Sequence, residues 1–326
     1  MAERTAFVTG ASGFVGGALT RSLLGDGWRV RALARSARSA EKVRALGAEP
    51  VEGELASIAS IATGAAGCEL AFHAAAMAEA WGSRKDFKRA NVEGTAHALA
   101  GCGRAGVRRF VHVGTEAAHF AMQPLRNIDE SEPLRPQSSV AYSATKARAE
   151  QLVVAANGDG FETVVLRPRL VWGPGDTSVL PGFVEAVEAG RFTWVGRGNH
   201  LTSTTHIDNT VRGLRLAAER GRPGEAYFVT DGEPVVFRDF ITALLATRGV
   251  EPGDRNTPPP LMRVGAAVAE AAWRALPLPG EPPVTRLAYF LVANETTIDI
   301  SKARAELGYE PVISVEQGLA QLQAAA

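Results

Sequence analysis

The chain has 326 residues, 46% of them hydrophobic and 21% charged, which suits one large α/β domain with a smaller companion. Lys and Arg together number 35, as do Asp and Glu, so no overall field favours nucleic acid or an acidic membrane surface. Cys68 and Cys102 match no metal-ligand spacing, the N-terminus shows no basic-then-apolar leader, and charges interrupt every long apolar run, so a cytoplasmic protein without a membrane span or a bound metal is expected.

Residues 5–35 read TAFVTGASGFVGGALTRSLLGDGWRVRALAR: a short apolar strand, a glycine turn, a helix, and a second strand after the Gly25–Gly27 turn. Gly10, Gly13 and Gly16 follow the spacing G-x-x-G-x-x-G. Gly10 permits a tight turn, Gly13 lets backbone approach a pyrophosphate, and Gly16 lets the helix pack closely on the sheet. The N–H groups near Ser12, Phe14 and Val15 then face the anion at the helix N-terminus. A glycine motif alone is weak; placed between a strand and a helix, it predicts dinucleotide binding. The tip of the second strand separates the cofactors. NAD sites usually offer a carboxylate to the ribose hydroxyls there, whereas this chain has Ala34 and Arg35, with Arg38 close behind. Arg35 suits a 2′-phosphate, so NADP(H) is expected over NAD(H).

AEPVEGEL and CELAFHAAA are the next strands. Glu54 and Leu55 fall where an adenine rests, and Ala74, Ala75 and Ala76 are small enough for backbone to lie against a cofactor. His73, with no ligand partner near it in sequence, reads as structural, as does His206 at a helix start. Residues 87–106 form a helix ending in glycines, and RRFVHVGT is the strand after it. This order implies an α/β fold: a Rossmann-type, doubly wound parallel sheet. Further along, AYSATKARAEQ puts Tyr142 and Lys146 four residues apart on one helical face. A lysine-assisted phenol acid needs that arrangement, but the pair alone does not establish one.

Taken in order, the glycine turn, HAAA (73–76), NVEGT (91–95), Thr115, Tyr142-x-x-x-Lys146, LRPRLVWGPG (166–175), THIDN (205–209) and DISKARAELGYEP (299–311) resemble an extended short-chain dehydrogenase/reductase over nearly the whole chain. The resemblance implies that Thr115, Tyr142 and Lys146 are catalytic and that Pro168 lies beside the nicotinamide amide. It also implies that Lys146 binds the nicotinamide ribose. A homodimer through the helices bearing Asn91 and Tyr142 follows from the same likeness. An ordinary phenol titrates near pH 10, poorly matched to neutral chemistry; the Lys146 ammonium and a positive nicotinamide ring are expected to lower it.

Within this superfamily the residues point away from nucleotide sugars. Leu170 stands where such enzymes commonly carry Asn, and Thr202 where they carry Arg; each lost charge-assisted contact is worth roughly 1.5–3 kcal/mol. The remaining likeness is to the 3β-hydroxysteroid dehydrogenase and dihydroflavonol-type reductase branch. An NAD(P)H-dependent oxidoreductase is expected, acting on a secondary alcohol or ketone of an apolar, steroid- or flavonoid-like molecule. A nucleotide-sugar epimerase/dehydratase and a non-catalytic NADP(H) sensor are the alternatives. Residues 1–177, joined by 205–231, are expected to bind the cofactor. Residues 178–204 and 232–326 then form a discontinuous substrate domain. The stretch 259–283 reads as a lid, a membrane contact or a core helix. Phe120, Trp172, Trp194 and Phe290 read as pocket lining or as packing, and Glu116 and His119 are placed to meet a substrate.

Overall fold

The computed structural model describes residues 4–276 and 278–324. Seven strands form one parallel sheet: β1 (Thr5–Thr9), β2 (Arg29–Ala34), β3 (Glu49–Glu52), β4 (Leu70–His73), β5 (Arg109–Val113), β6 (Glu162–Pro168) and β7 (Ala226–Val229). Their order is β3-β2-β1-β4-β5-β6-β7. Most of these strands are continuous apolar runs because helices cover both faces. Alternate side chains go to opposite sides. Ala6 and Val8 join Leu19, Leu23, Val43 and Leu214 on one face, while Phe7 joins Ile61, Leu99, Cys102 and Val153 on the other. Helices Phe14–Gly25, Ala37–Ala45 and Ile207–Arg220 therefore cover the first face. Ile58–Ala65, Gly94–Arg104 and Ala141–Ala155 cover the second. The strand order reverses between β1 and β4. In sheets of this kind ligands bind at that reversal, outside the carboxyl ends of the strands.

Above that edge lies a smaller layer. Val235–Val236, Leu201–Thr202, Thr296–Ile298 and Leu125–Ile128 make a mixed four-stranded sheet. A separate apolar core holds Trp172, Trp194, Phe237, Phe240 and Leu244. Both indole N–H groups are satisfied, Trp172 by Asp231 Oδ2 and Trp194 by the Gly253 carbonyl, each at 2.8 Å. Phe120 and Phe290 are buried too, stacked with ring centres 3.9 Å apart. All four aromatics pack the interior and leave no face for a ligand.

Helix Pro259–Ala275 starts with proline in its first turn, where a missing N–H costs nothing. It buries Ala266 and Glu270 on its inner side and leaves Leu261, Val264 and Val268 exposed on the outer side. Its Glu270 and Arg274 border a recess beside Tyr142. Pro277, in the same stretch, lies outside the described residues. Among the described residues no helix is long and apolar enough to cross a membrane.

Candidate functional site

The glycine turn connects β1 to helix Phe14–Gly25 at the point of strand reversal. Gly10 sits at φ +81°, and a Cβ there would lie 2.6 Å from the Ala75 nitrogen and 2.7 Å from the Ala74 carbonyl carbon. A Cβ on Gly16 would meet the Gly10 carbonyl oxygen at 2.3 Å. Both glycines are there because backbone passes backbone at contact distance. Gly13 N–H donates to Gly10 O at 3.0 Å and Gly13 itself is exposed, with the half-buried Ser12, Phe14 and Val15 beside it. The cradle at this helix N-terminus fits a pyrophosphate. Around its rim stand Ala74 and Ala75, half-buried, and Ala76, exposed. Leu55 is half-buried against the Phe7 side of the core, and Glu54 is exposed. Arg35 follows the last residue of β2, exposed, immediately before the Ser36 cap of the next helix.

His73 closes β4 with both ring nitrogens used, Nδ1 with Thr9 Oγ1 at 2.6 Å and Nε2 with Thr95 Oγ1 at 3.0 Å. Burial, aided by the Lys146 charge, pushes it down to about 3, so the ring is neutral and structural. His206 caps the helix Ile207–Arg220 by accepting the Asp208 N–H. His119 is fully buried, its ring 5.5 Å from that of Phe228, and so cannot meet a substrate.

Thr115, Tyr142 and Lys146 come together at the carboxyl end of β5. Helix Ala141–Ala155 has no single apolar stripe because it is covered from several sides, and that burial takes in Lys146. Lys146 Nζ donates to Val113 O at 2.6 Å and lies 3.1 Å from His112 Nε2. Burial pulls its pKa down to about 8. Tyr142 is half-buried with the Thr115 hydroxyl in hydrogen-bonding reach. Burial first, and the Glu116 carboxylate second, push the phenol pKa above the ordinary value, while Thr115 pulls the other way. Pro168 ends β6, buried and paired with Val229 of β7.

Three features escaped the reading of the sequence. Trp81, Phe87, Val140, Glu270 and Leu287 surround the recess that has Tyr142 in its wall. Arg274, on the same roof helix, pairs with Glu270 at 3.3 Å and lies 5.3 Å from the centre of the Trp81 ring. Glu116 does not project toward a substrate: it is buried in an ion pair with Arg169, Nη1 to Oε1 at 2.6 Å. A charged residue inside the apolar run LRPRLVW was a visible signal for such a pair. Nothing local marked the recess, whose residues come from four separate segments.

A sequence model of the 3-beta hydroxysteroid dehydrogenase/isomerase family matches residues 7–259. The chain is 47% identical to a 4-hydroxy-2-methyl-3-oxo-4-farnesyl-3,4-dihydroquinoline-1-oxide ketoreductase from Stigmatella aurantiaca, covering 98% of this chain and 96% of that protein. It is 38% identical to a 2-alkyl-3-oxoalkanoate reductase from Stenotrophomonas maltophilia, covering 97% of this chain and 98% of that protein. Among solved structures, a dTDP-glucose 4,6-dehydratase from Streptomyces venezuelae superposes with a TM-score of 0.76 at 24% identity, over 98% of this chain and 95% of that one. That last likeness is one of fold.

Proposed function

The chain belongs to the 3-beta hydroxysteroid dehydrogenase/isomerase family of extended short-chain dehydrogenases, and from that premise we propose that it is an NADP(H)-dependent reductase of an apolar ketone. The observation that carries this reading is the convergence of Thr115, Tyr142 and Lys146 at the carboxyl end of β5, beside a small recess, with room for about one water, bounded by Trp81, Phe87, Val140, Glu270, Arg274 and Leu287. Reduction of a ketone needs a hydride at carbon and a proton at oxygen; a bound nicotinamide supplies the hydride. Tyr142, held protonated by its surroundings, passes its proton to the oxygen. The Thr115 hydroxyl is the second polar group within reach of that oxygen. Lys146, buried on the cofactor side of the phenol, positions the ribose.

Cofactor choice follows from the nucleotide end. The cradle of Gly10, Ser12, Gly13, Phe14, Val15 and Gly16 receives the pyrophosphate through backbone N–H groups. Glu54, Leu55 and Ala74–Ala76 border the nucleoside, and Pro168 borders the nicotinamide amide. Arg35 stands exposed at the β2 tip, where no acid follows Ala34 in the sequence, and supports a 2′-phosphate. Substrate is received by residues 178–204 and 232–326 over the edge of the sheet. Two relatives at 47% and 38% identity are named for ketone reduction, which favours that direction over alcohol oxidation. Weighing against nucleotide sugars, Leu170 is buried in an apolar cluster, and Thr202 Oγ1 is engaged by Arg169.

A turnover screen tests the reading. NADPH and NADH are paired with apolar ring ketones and 3-oxo acids, with Tyr142→Phe as the blank. Turnover with NADPH that disappears in the mutant supports the proposal; turnover that survives in Tyr142→Phe removes it. Two further expectations belong to the same reading. The protein is a cytoplasmic homodimer that pairs through the helices bearing Asn91 and Tyr142, and light scattering that finds only monomer at micromolar concentration overturns the dimer.

A further inference from the structure

One buried ring has no task in the chemistry described so far. His112, on β5, is 1% exposed, and its Nε2 lies 3.1 Å from Nζ of Lys146, itself 3% exposed. Burial, and after it the Lys146 charge, push the ring's pKa well below its ordinary value, so the ring is neutral. Lys146, pulled down only to about 8, is an ammonium at neutral pH. An ammonium has donors only, so Nε2 accepts from it and the ring proton sits on Nδ1. That Nδ1 is buried and has no partner among the described residues. A buried N–H left unpaired is uncommon and costs stability. What it leaves available is a lone pair aimed at the lysine.

The ring is also held from behind. It stacks on His73, with ring centres 5.3 Å apart and planes 28° from parallel, and His73 is fixed in turn by Thr9 and Thr95. The Val113 carbonyl, next along the same strand, takes another N–H of Lys146 at 2.6 Å. Glu150, one turn along the lysine's own helix, is engaged by Arg167 Nε at 3.0 and 3.2 Å. Two of the three N–H groups of the ammonium therefore have acceptors on β5, and the third has none among the described residues. We propose that His112 is a positioning residue for cofactor binding: with the Val113 carbonyl it fixes Lys146 Nζ and leaves one N–H for the nicotinamide ribose. The inference rests on the reading of Lys146 as the group that positions that ribose. Packing alone does not account for the ring, since a phenyl group would also stack on His73 and would leave no N–H unpaired.

Nucleotide binding tests this without turnover. NADPH and ADP are titrated by calorimetry; ADP carries the adenosine and the pyrophosphate but no nicotinamide ribose. Lys146→Met should weaken NADPH by about tenfold or more and leave ADP unchanged. His112→Phe, which keeps the stack and removes the acceptor, should do the same. His112→Gln, which gives up the stack and keeps an acceptor, should restore most of the NADPH affinity. In the Lys146→Met background His112→Phe should have no further effect, as a double-mutant cycle requires of two residues that act through one contact. If His112→Phe does not fold, His112→Leu takes its place against His112→Gln. Unchanged NADPH affinity in His112→Phe, an equal loss in the Phe and Gln variants, a loss shared by ADP, or full additivity with Lys146→Met overturns the proposal. A loss in Lys146→Met without one in His112→Phe removes this inference alone, whereas unchanged affinity in Lys146→Met removes the ribose role of Lys146 with it. Neither outcome touches the turnover test of Tyr142→Phe.

Discussion

The glycine cradle and the recess beside Tyr142 meet at one edge of the sheet, yet they are made of opposite materials. The cradle is backbone: Gly10, Gly13 and Gly16, the Ala74–Ala75 peptide, and one exposed arginine at a strand tip. The recess is side chain: Trp81, Phe87, Val140, Glu270 and Leu287, brought from segments far apart in the sequence. A cradle of peptide groups recognises what every dinucleotide shares and leaves no room for a Cβ at Gly10 or Gly16. A recess of side chains can change its substrate by exchanging one aromatic or aliphatic residue. The two regions should therefore fail differently when altered, and Tyr142, between them, should affect neither binding step.

That contrast can be broken at several points. The largest effect is expected for Tyr142→Phe, with turnover down by about 10²–10⁴-fold and NADPH affinity unchanged in a fluorescence titration. A variant that also loses NADPH would show that the phenol holds the cofactor as well. Next comes Gly16→Ala. Its Cβ would sit 2.3 Å from Gly10 O, so the turn must shift, costing about 2 kcal/mol or more of stability and most of the nucleotide affinity. Chemical denaturation with and without NADPH reads both. Arg35→Ala should weaken NADPH by about tenfold or more and leave NADH where it was; an equal loss for both would sink the 2′-phosphate assignment. Trp81→Ala should raise KM for an apolar ketone by about tenfold without touching cofactor affinity, and an unchanged KM would place the substrate elsewhere.

The smallest effect expected from one group is a loss of stability in acid. Burial holds His73 neutral, with its pKa down at about 3, whereas in the unfolded chain it takes a proton near pH 6.5. Between those values the unfolded state binds more protons, so stability falls as pH drops below 6.5. His73 alone contributes a loss of about 1.4 kcal/mol at pH 5.5. His112 and His119, also lowered chiefly by burial, act in the same sense. Thermal unfolding followed from pH 7.5 to 5 should show the midpoint descending from about pH 6.5; a flat profile would mean that these rings are charged in the folded protein.

Local pattern was enough for the sheet and for much of the candidate site. The apolar runs at 5–9, 70–73, 109–113 and 226–229 occupy the main sheet because period-two burial between two helical layers demands such runs. The glycine spacing, the missing acid after Ala34 and the Tyr142–Lys146 interval are also local, since each depends on residues within a turn or two of one another. The electrostatics of the phenol were not legible. Lys146 Nζ donates to Val113 O and Glu116 is paired with Arg169, contacts that only tertiary packing makes.

By itself, then, the sequence determined the class of fold and the place of the glycine turn, because short-range sterics and hydrophobic periodicity are written along the chain. Tertiary structure alone decided three things: that Arg169 meets Glu116 across 53 residues, that Phe120 and Phe290 stack instead of lining a pocket, and that helix Pro259–Ala275 borders a recess beside Tyr142. The physical reason is common to all three. A buried charge or ring must find its partner in space, and which partner it finds is set by the packing of distant segments.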